Sequence, residues 1–169
     1  NKVINREIMK IPFVNLQHQY RTERKNLLKI IDKTLATGDW VGGDEVKRFE
    51  NRISKLCKVK YCVALNSGTD ALTLSLHLLG VKKGDEVITV ASGFPTTVNP
   101  IIQFGAIPVF VDVDIQTHNI NVDLIEAAIT PKTKAIMLAH ALGNPFNVGR
   151  VKEICDKHNL WLIEDTCDA

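Results

Sequence analysis

From Lys60 onward, short apolar runs alternate with segments whose apolar residues recur at helical spacing. This alternation restricts the fold more than any other feature of the chain. Runs such as VITV (Val87–Val90) and WLIE (Trp161–Glu164) are largely apolar at successive positions. A strand that is apolar on both sides needs cover on both, which a parallel sheet between two layers of helices provides. The expected fold class is α/β, three-layered, with a mostly parallel central sheet. The pattern predicts strands over Tyr61–Leu65, Glu86–Val90, Ile107–Val113, Lys134–Ala139 and Leu160–Glu164. Between them it predicts helices over Thr69–Leu79, Thr96–Phe104, Val122–Ile129 and Val148–His158.

The stretch before Lys60 reads differently. Leu27, Ile30, Ile31 and Leu35 lie on one side of a helix expected over Gln17–Leu35, which Gly38 ends. A second amphipathic helix follows Asp44, with Val46, Phe49, Ile53 and Leu56 on one face. Residues 1–58 are expected to form an N-terminal helical segment with a frayed start over residues 1–10, and residues 59–169 the α/β layer. The sequence stops directly after a buried strand, where a covering helix or strand is expected to follow.

Composition narrows the function classes. The 169 residues are 45% hydrophobic and 24% charged, with a formal net charge of +2. That balance gives no reason to expect nucleic acid or an anionic membrane as a partner. No apolar run is long enough to span a bilayer, and NKVINREIMK lacks the apolar core of a signal peptide. A cytoplasmic location is expected. Cys57, Cys62, Cys155 and Cys167 form neither a CxxC pair nor a zinc-spaced set with histidine, so four reduced, mostly buried thiols and no metal site are expected.

In a parallel sheet, ligands sit at the carboxyl ends of the strands, so the residues after each strand are the candidates. NSGTDAL (66–72) places Ser67, Gly68 and Thr69 at a strand-to-helix turn. The free N–H groups there either bind an anion such as phosphate or are simply capped by Ser67 or Thr69. Phe94, between Gly93 and Pro95, is either a core aromatic or a stacking partner for a planar ring. In HALGNPFNV (140–148), Gly143, Asn144 and Pro145 make a turn from which the Asn144 amide is expected to face the same crevice, while His140 is either a satisfied structural histidine or a functional one at a strand end. EDTCDA (164–169) carries Glu164, Asp165 and Asp168. A carboxylate there needs a partner, and a protonated heterocyclic nitrogen, a helix N-terminus or a metal would serve.

Taken together, GDWVGGDEVKRFE (38–50), NSGTDAL, GDEVITV (84–90), GFPTTVNPIIQFGAIPVFVDVD (93–114) and LWLIEDTCDA (160–169) resemble the DegT-type sugar aminotransferases, members of the aspartate-aminotransferase-like fold. The resemblance runs from about Ile11 onward. GFPTTVNP, AHALGNPF and EDTCDA are most similar to the branch that removes the 3-hydroxyl of CDP-4-keto-6-deoxyglucose, whereas NSGTDAL is closer to the ordinary aminotransferases. The resemblance implies part of the large domain of a fold-type I enzyme that binds pyridoxal or pyridoxamine 5′-phosphate. It implies that Gly68 and Thr69 hold the phosphate, Phe94 stacks on the ring and Asp165 pairs with the pyridine nitrogen; Ser67 and Asn144, taken from their places after the strands, complete the expected cofactor-binding set. Asp168 stands where the aminotransferases usually have His or Gln near the phenolic oxygen, a departure that fits the dehydrase branch.

The residue that decides the chemistry, a Schiff-base lysine in the aminotransferases or a histidine in the dehydrases, is expected beyond Ala169. The cysteines of an iron–sulfur cluster, in the full-length protein only, are expected there too. The implied partners are a nucleotide-linked 4-keto sugar and a second copy of the chain in a homodimer. The implied activity is dehydration at C3, with transamination as the alternative. Against both stands a non-catalytic ligand-binding or interaction module. A dinucleotide-binding half is disfavoured, because no GxGxxG follows the first expected strand.

Overall fold

A computed structural model describes residues 11–169 of the chain; the frayed start expected over residues 1–10 lies outside the described residues. The chain divides into two compact units, Asn1–Ala64 and Leu65–Ala169.

In the first unit, α1 (Leu16–Thr37) starts where the Asn15 side chain accepts the His18 N–H, and it stops at Gly38. Gly38 has φ +73°, and its N–H donates to the Leu35 carbonyl. That left-handed conformation is open to glycine without steric cost. Helix α2 (Asp44–Cys57) carries Asp44 and Glu45 in its first turn, where they complement the helix dipole. Both helices form where they are expected, and none of the residues on their apolar sides is buried. The strand expected over Tyr61–Leu65 does not form. Among the described residues its backbone has no neighbouring strand, Tyr61 and Val63 stay exposed, and the Ala64 N–H donates instead to Glu50 Oε1 at 2.9 Å. An apolar run in sequence cannot supply a pairing partner.

The second unit contains α3 (Gly68–Leu78), β1 (Glu86–Val90), α4 (Pro95–Gln103), β2 (Ile107–Val111), β3 (Thr133–Ala139), α5 (Val148–His158) and β4 (Trp161–Asp165). The strands form one sheet in the order β2-β1-β3-β4 with every pair parallel. Side chains alternate faces along a strand, and the core follows that rule. Ile88, Val90, Ile136 and Leu138 point to one side, against Val151 and Cys155 of α5. Val87, Ala135, Met137 and Ile163 point to the other, against Leu72 and Leu76 of α3 and Ile101 of α4. The three-layer arrangement inferred from apolar strands is therefore present, with helices on both faces.

Two expected elements differ. The third expected strand ends at Val111 instead of Val113; the Val113 N–H donates to the Asp112 carboxylate at 2.8 Å in place of a strand partner. Val113 then makes an antiparallel bridge to Ile120 across the turn between them. The helix expected over Val122–Ile129 is two single 3₁₀ turns, the first capped by Asn121. The cysteine expectation also needs correction: only Cys155 is buried, while Cys57 and Cys167 are exposed. Cys57 ends an exposed helix and Cys167 follows the last strand, so neither position has a layer above it.

The sheet order fixes where a ligand belongs. From β1 the chain moves to β2 on one side, then crosses to β3 on the other. The direction of winding thus reverses between β1 and β3, and the crevice at the carboxyl ends of these strands is the usual ligand position.

Candidate functional site

A cavity of about 730 Å³ opens at that point. Val90 at the end of β1 and Leu138 and Ala139 at the end of β3 line it. The start of α3, the loop before α4, the turn before Ile120 and the segments after β3 and β4 complete the wall. Its volume lies within the usual range for small-molecule and cofactor sites.

Gly68 and Thr69 line the cavity at the first turn of α3, where backbone N–H groups have no helical carbonyl to bond. No atom stands within 4 Å of the position a Gly68 Cβ would take, so the backbone is open to close approach there. Ser67 has a different task. It caps the helix by accepting the Asp70 N–H at 3.1 Å and does not line the cavity. Phe94, the residue just before α4, is on the cavity wall and 70% exposed. A core aromatic would be covered, so the alternative reading of Phe94 fails and its face is available to a ligand.

The three acids at and after the end of β4 separate. Asp165 lines the cavity, and each of its carboxylate oxygens accepts one hydrogen bond from the protein. Oδ2 accepts from the Thr97 hydroxyl at 3.2 Å, and Oδ1 from the Cys167 N–H at 3.1 Å. Asp168 lines the same cavity. Glu164 turns away from it and faces His140 Nε2 at 3.3 Å. The His140 ring is buried and stacks on Phe146 with centroids 4.5 Å apart. Its Nδ1 accepts the Phe146 N–H at 3.3 Å, which places a ring proton on Nε2 toward Glu164. The His140 N–H donates to the Asp165 carbonyl, so β3 and β4 stay joined to the cavity's edge. His140 is thus the satisfied structural histidine its position suggested, and it also forms part of the wall.

Asn144, expected in the crevice, is not on the wall. Its side-chain amide donates to the Thr117 carbonyl at 3.3 Å, and its own carbonyl accepts from Asn119 Nδ2 at 2.8 Å. Those bonds turn Asn144 away from the cavity and tie the turn before Ile120 to the segment after β3. Asn119, buried and on the wall, completes the tie by accepting the Ala141 N–H. Gly143 packs the segment after β3 against that after β4. It has φ +78°, and a Cβ there would stand 2.6 Å from the Asp168 carbonyl oxygen.

Thr97, His118, Asn119 and Cys167 belong to the site's surroundings without having been expected there. His118 and Asn119 follow β2 at the same rim as the other candidates, and that position was the available signal. No local pattern marks Thr97, whose partner lies 68 residues away. Cys155 takes no part: burial pushes its thiol up to about 11, which keeps it protonated and inert at neutral pH. Among the described residues, no group of histidine, cysteine and acidic side chains is arranged to hold a metal, and no helix is long and apolar enough to cross a membrane.

The fold is a wound parallel sheet whose switch-point cavity combines the first turn of α3, an open aromatic face and a carboxylate held by two donors. The chain belongs to the DegT/DnrJ/EryC1/StrS aminotransferase family, whose pattern matches residues 21–169. It is 57% identical over 129 residues to the lipopolysaccharide biosynthesis protein RfbH of Salmonella typhimurium, covering 72% of this chain and 30% of that protein. It is 47% identical over 135 residues to the dTDP-4-dehydro-2,6-dideoxy-D-glucose 3-dehydratase of Saccharopolyspora spinosa, covering 75% of this chain and 29% of that enzyme. The crystal structure of NtdA from Bacillus subtilis with bound pyridoxamine phosphate superposes with a TM-score of 0.88 at 36% identity, over 96% of this chain and 38% of that one. The fold is that of the fold-type I pyridoxal-phosphate enzymes. The chain spans about a third of the length of these relatives.

Proposed function

We propose that the protein carrying this chain is a pyridoxamine-phosphate-dependent enzyme that removes the 3-hydroxyl of a nucleotide-linked 4-keto-6-deoxysugar. One observation carries the reading: Thr69, Phe94, Asp165 and Asp168 come from three separate segments and line a single cavity at the sheet's switch point. The cavity suits the cofactor chemically. The N–H groups of Gly68 and Thr69 would hold its phosphate at the start of α3, helped by the helix dipole. The open face of Phe94 would stack on the pyridine ring. Asp165, already oriented by two donors, would hold a proton at the pyridine nitrogen. When bound, the cofactor supplies a ring that accepts electrons from a neighbouring carbon.

Asp168 favours dehydration over transamination, because a carboxylate near the phenolic oxygen departs from the His or Gln usual in the aminotransferases. The 47% identity to a sugar 3-dehydratase agrees with that preference. An iron–sulfur cluster in the complete protein, a cytoplasmic location and a homodimeric state belong to the same proposal. The dimer is supported by α1, which buries none of its residues despite its apolar side.

The second reading is an aminotransferase, which the family as a whole and the motif NSGTDAL favour. Incubating the complete gene product with pyridoxamine phosphate and a nucleotide-linked 4-keto-6-deoxysugar separates the two. Mass spectrometry is expected to show a sugar that has lost its 3-hydroxyl. An amino sugar formed from pyridoxamine phosphate, with no deoxygenation, would reject dehydration and establish the alternative. Unchanged sugar would reject both on the substrates tried.

A further inference from the structure

Helical threonines and serines in this chain mostly bond within their own helix: Thr22, Thr73 and Ser75 all donate to carbonyls three or four residues back. Thr97 does not. It stands in the first turn of α4, only 2% exposed, and its hydroxyl crosses to Asp165 Oδ2 on the last residue of β4. A buried hydroxyl needs a partner, and among the described residues Asp165 is the acceptor that Thr97 has. The same turn joins Thr97 to the cavity's aromatic wall, because the Thr97 N–H donates to the Phe94 carbonyl at 3.0 Å. The first turn of α4 therefore holds both the ring-facing side chain and the donor to the carboxylate.

The two oxygens of Asp165 are held from different directions. Cys167 N–H belongs to the loop after β4 and holds Oδ1, whereas Thr97 reaches Oδ2 from another layer of the fold. With only one donor the carboxyl group would be free to rotate about its bond to the chain. With two its plane is set.

We propose that Thr97 is a positioning residue: its hydroxyl fixes the plane of the Asp165 carboxylate and keys it to the aromatic wall at Phe94, so that a ring nitrogen meets the carboxylate edge-on. This rests on the reading of Asp165 as the partner of that nitrogen. The prediction concerns binding as well as rate, since a carboxylate that must be re-ordered on binding costs affinity.

The test is a double-mutant cycle on the complete gene product, reading the dissociation constant of pyridoxamine phosphate by equilibrium titration of its absorbance. Thr97→Val keeps the shape and removes the hydroxyl, and is expected to weaken binding about tenfold. Thr97→Ser restores the hydroxyl and is expected to return to within about threefold of the parent. In an Asp165→Asn background, Thr97→Val is expected to add little, because the two groups act through one interaction. Thr97→Ala serves if the valine variant does not fold. Equal losses for the valine and serine variants, or losses fully additive with Asp165→Asn, would reduce Thr97 to a packing residue and overturn the inference alone. Unaltered binding by Asp165→Asn would overturn the role given to Asp165, and the inference with it.

Discussion

Single positions around the cavity differ in what they can tolerate. Phe94 is exposed, so Phe94→Ala removes little burial and is expected to leave the thermal midpoint nearly unchanged while weakening cofactor binding by roughly 0.5–1.5 kcal/mol, as loss of a stacked aromatic does. Gly143 is the opposite case. Gly143→Ala forces a Cβ into the Asp168 carbonyl at a positive φ, which is expected to cost about 1–3 kcal/mol of stability, read from the denaturant midpoint. Cys155 gives a pH signature. Its thiol ionises more readily in the unfolded chain than in the fold, where burial pushes it up to about 11. Its contribution is therefore intact below about pH 9 and lost as pH rises toward 11. In a mapped alkylation experiment at pH 8, Cys57 and Cys167 are expected to react first and Cys155 only on unfolding.

At the scale of elements, the sequence was readable wherever burial imposed a strict period. The bounds of β1 and α5 agree with the expectation residue for residue, because four of the five β1 residues are buried and α5 lies between Asn147 and Asn159. It misled at Tyr61–Leu65, where an apolar run was present but no strand lay alongside among the described residues. It also misled at Val122–Ile129, where eight residues with apolar spacing settle as two tight turns. The cavity was legible as a list of strand ends, which brought in Gly68, Thr69, Phe94, Asp165 and Asp168. It was not legible as a set of contacts: Ser67 and Asn144 spend their polar atoms elsewhere, and Thr97 meets Asp165 only in three dimensions. Two substitutions probe the elements directly. Ser67→Ala removes the cap of α3 and is expected to cost about 1 kcal/mol, with some loss of phosphate affinity as the first turn frays. Ile136→Ala, at the fully buried centre of β3, is expected to cost about 2–5 kcal/mol in a denaturant titration without altering the cavity wall.

For the whole molecule, the sheet order carries a consequence for how the protein comes into being. Strand β1 has to bypass the nearest later segments and wait for β3 before its second edge is paired, and pairing across such long stretches is slow. On a ribosome the parts of the cavity wall emerge one after another: first the start of α3, then Phe94, last Asp165. Until β4 docks, the free edge of β3 is open and Thr97 has nothing to hold. A nascent chain stalled before Ile163 would thus display a sticky border and an unfinished cavity wall, so docking of β4 marks the moment at which this part of the polypeptide has finished assembling.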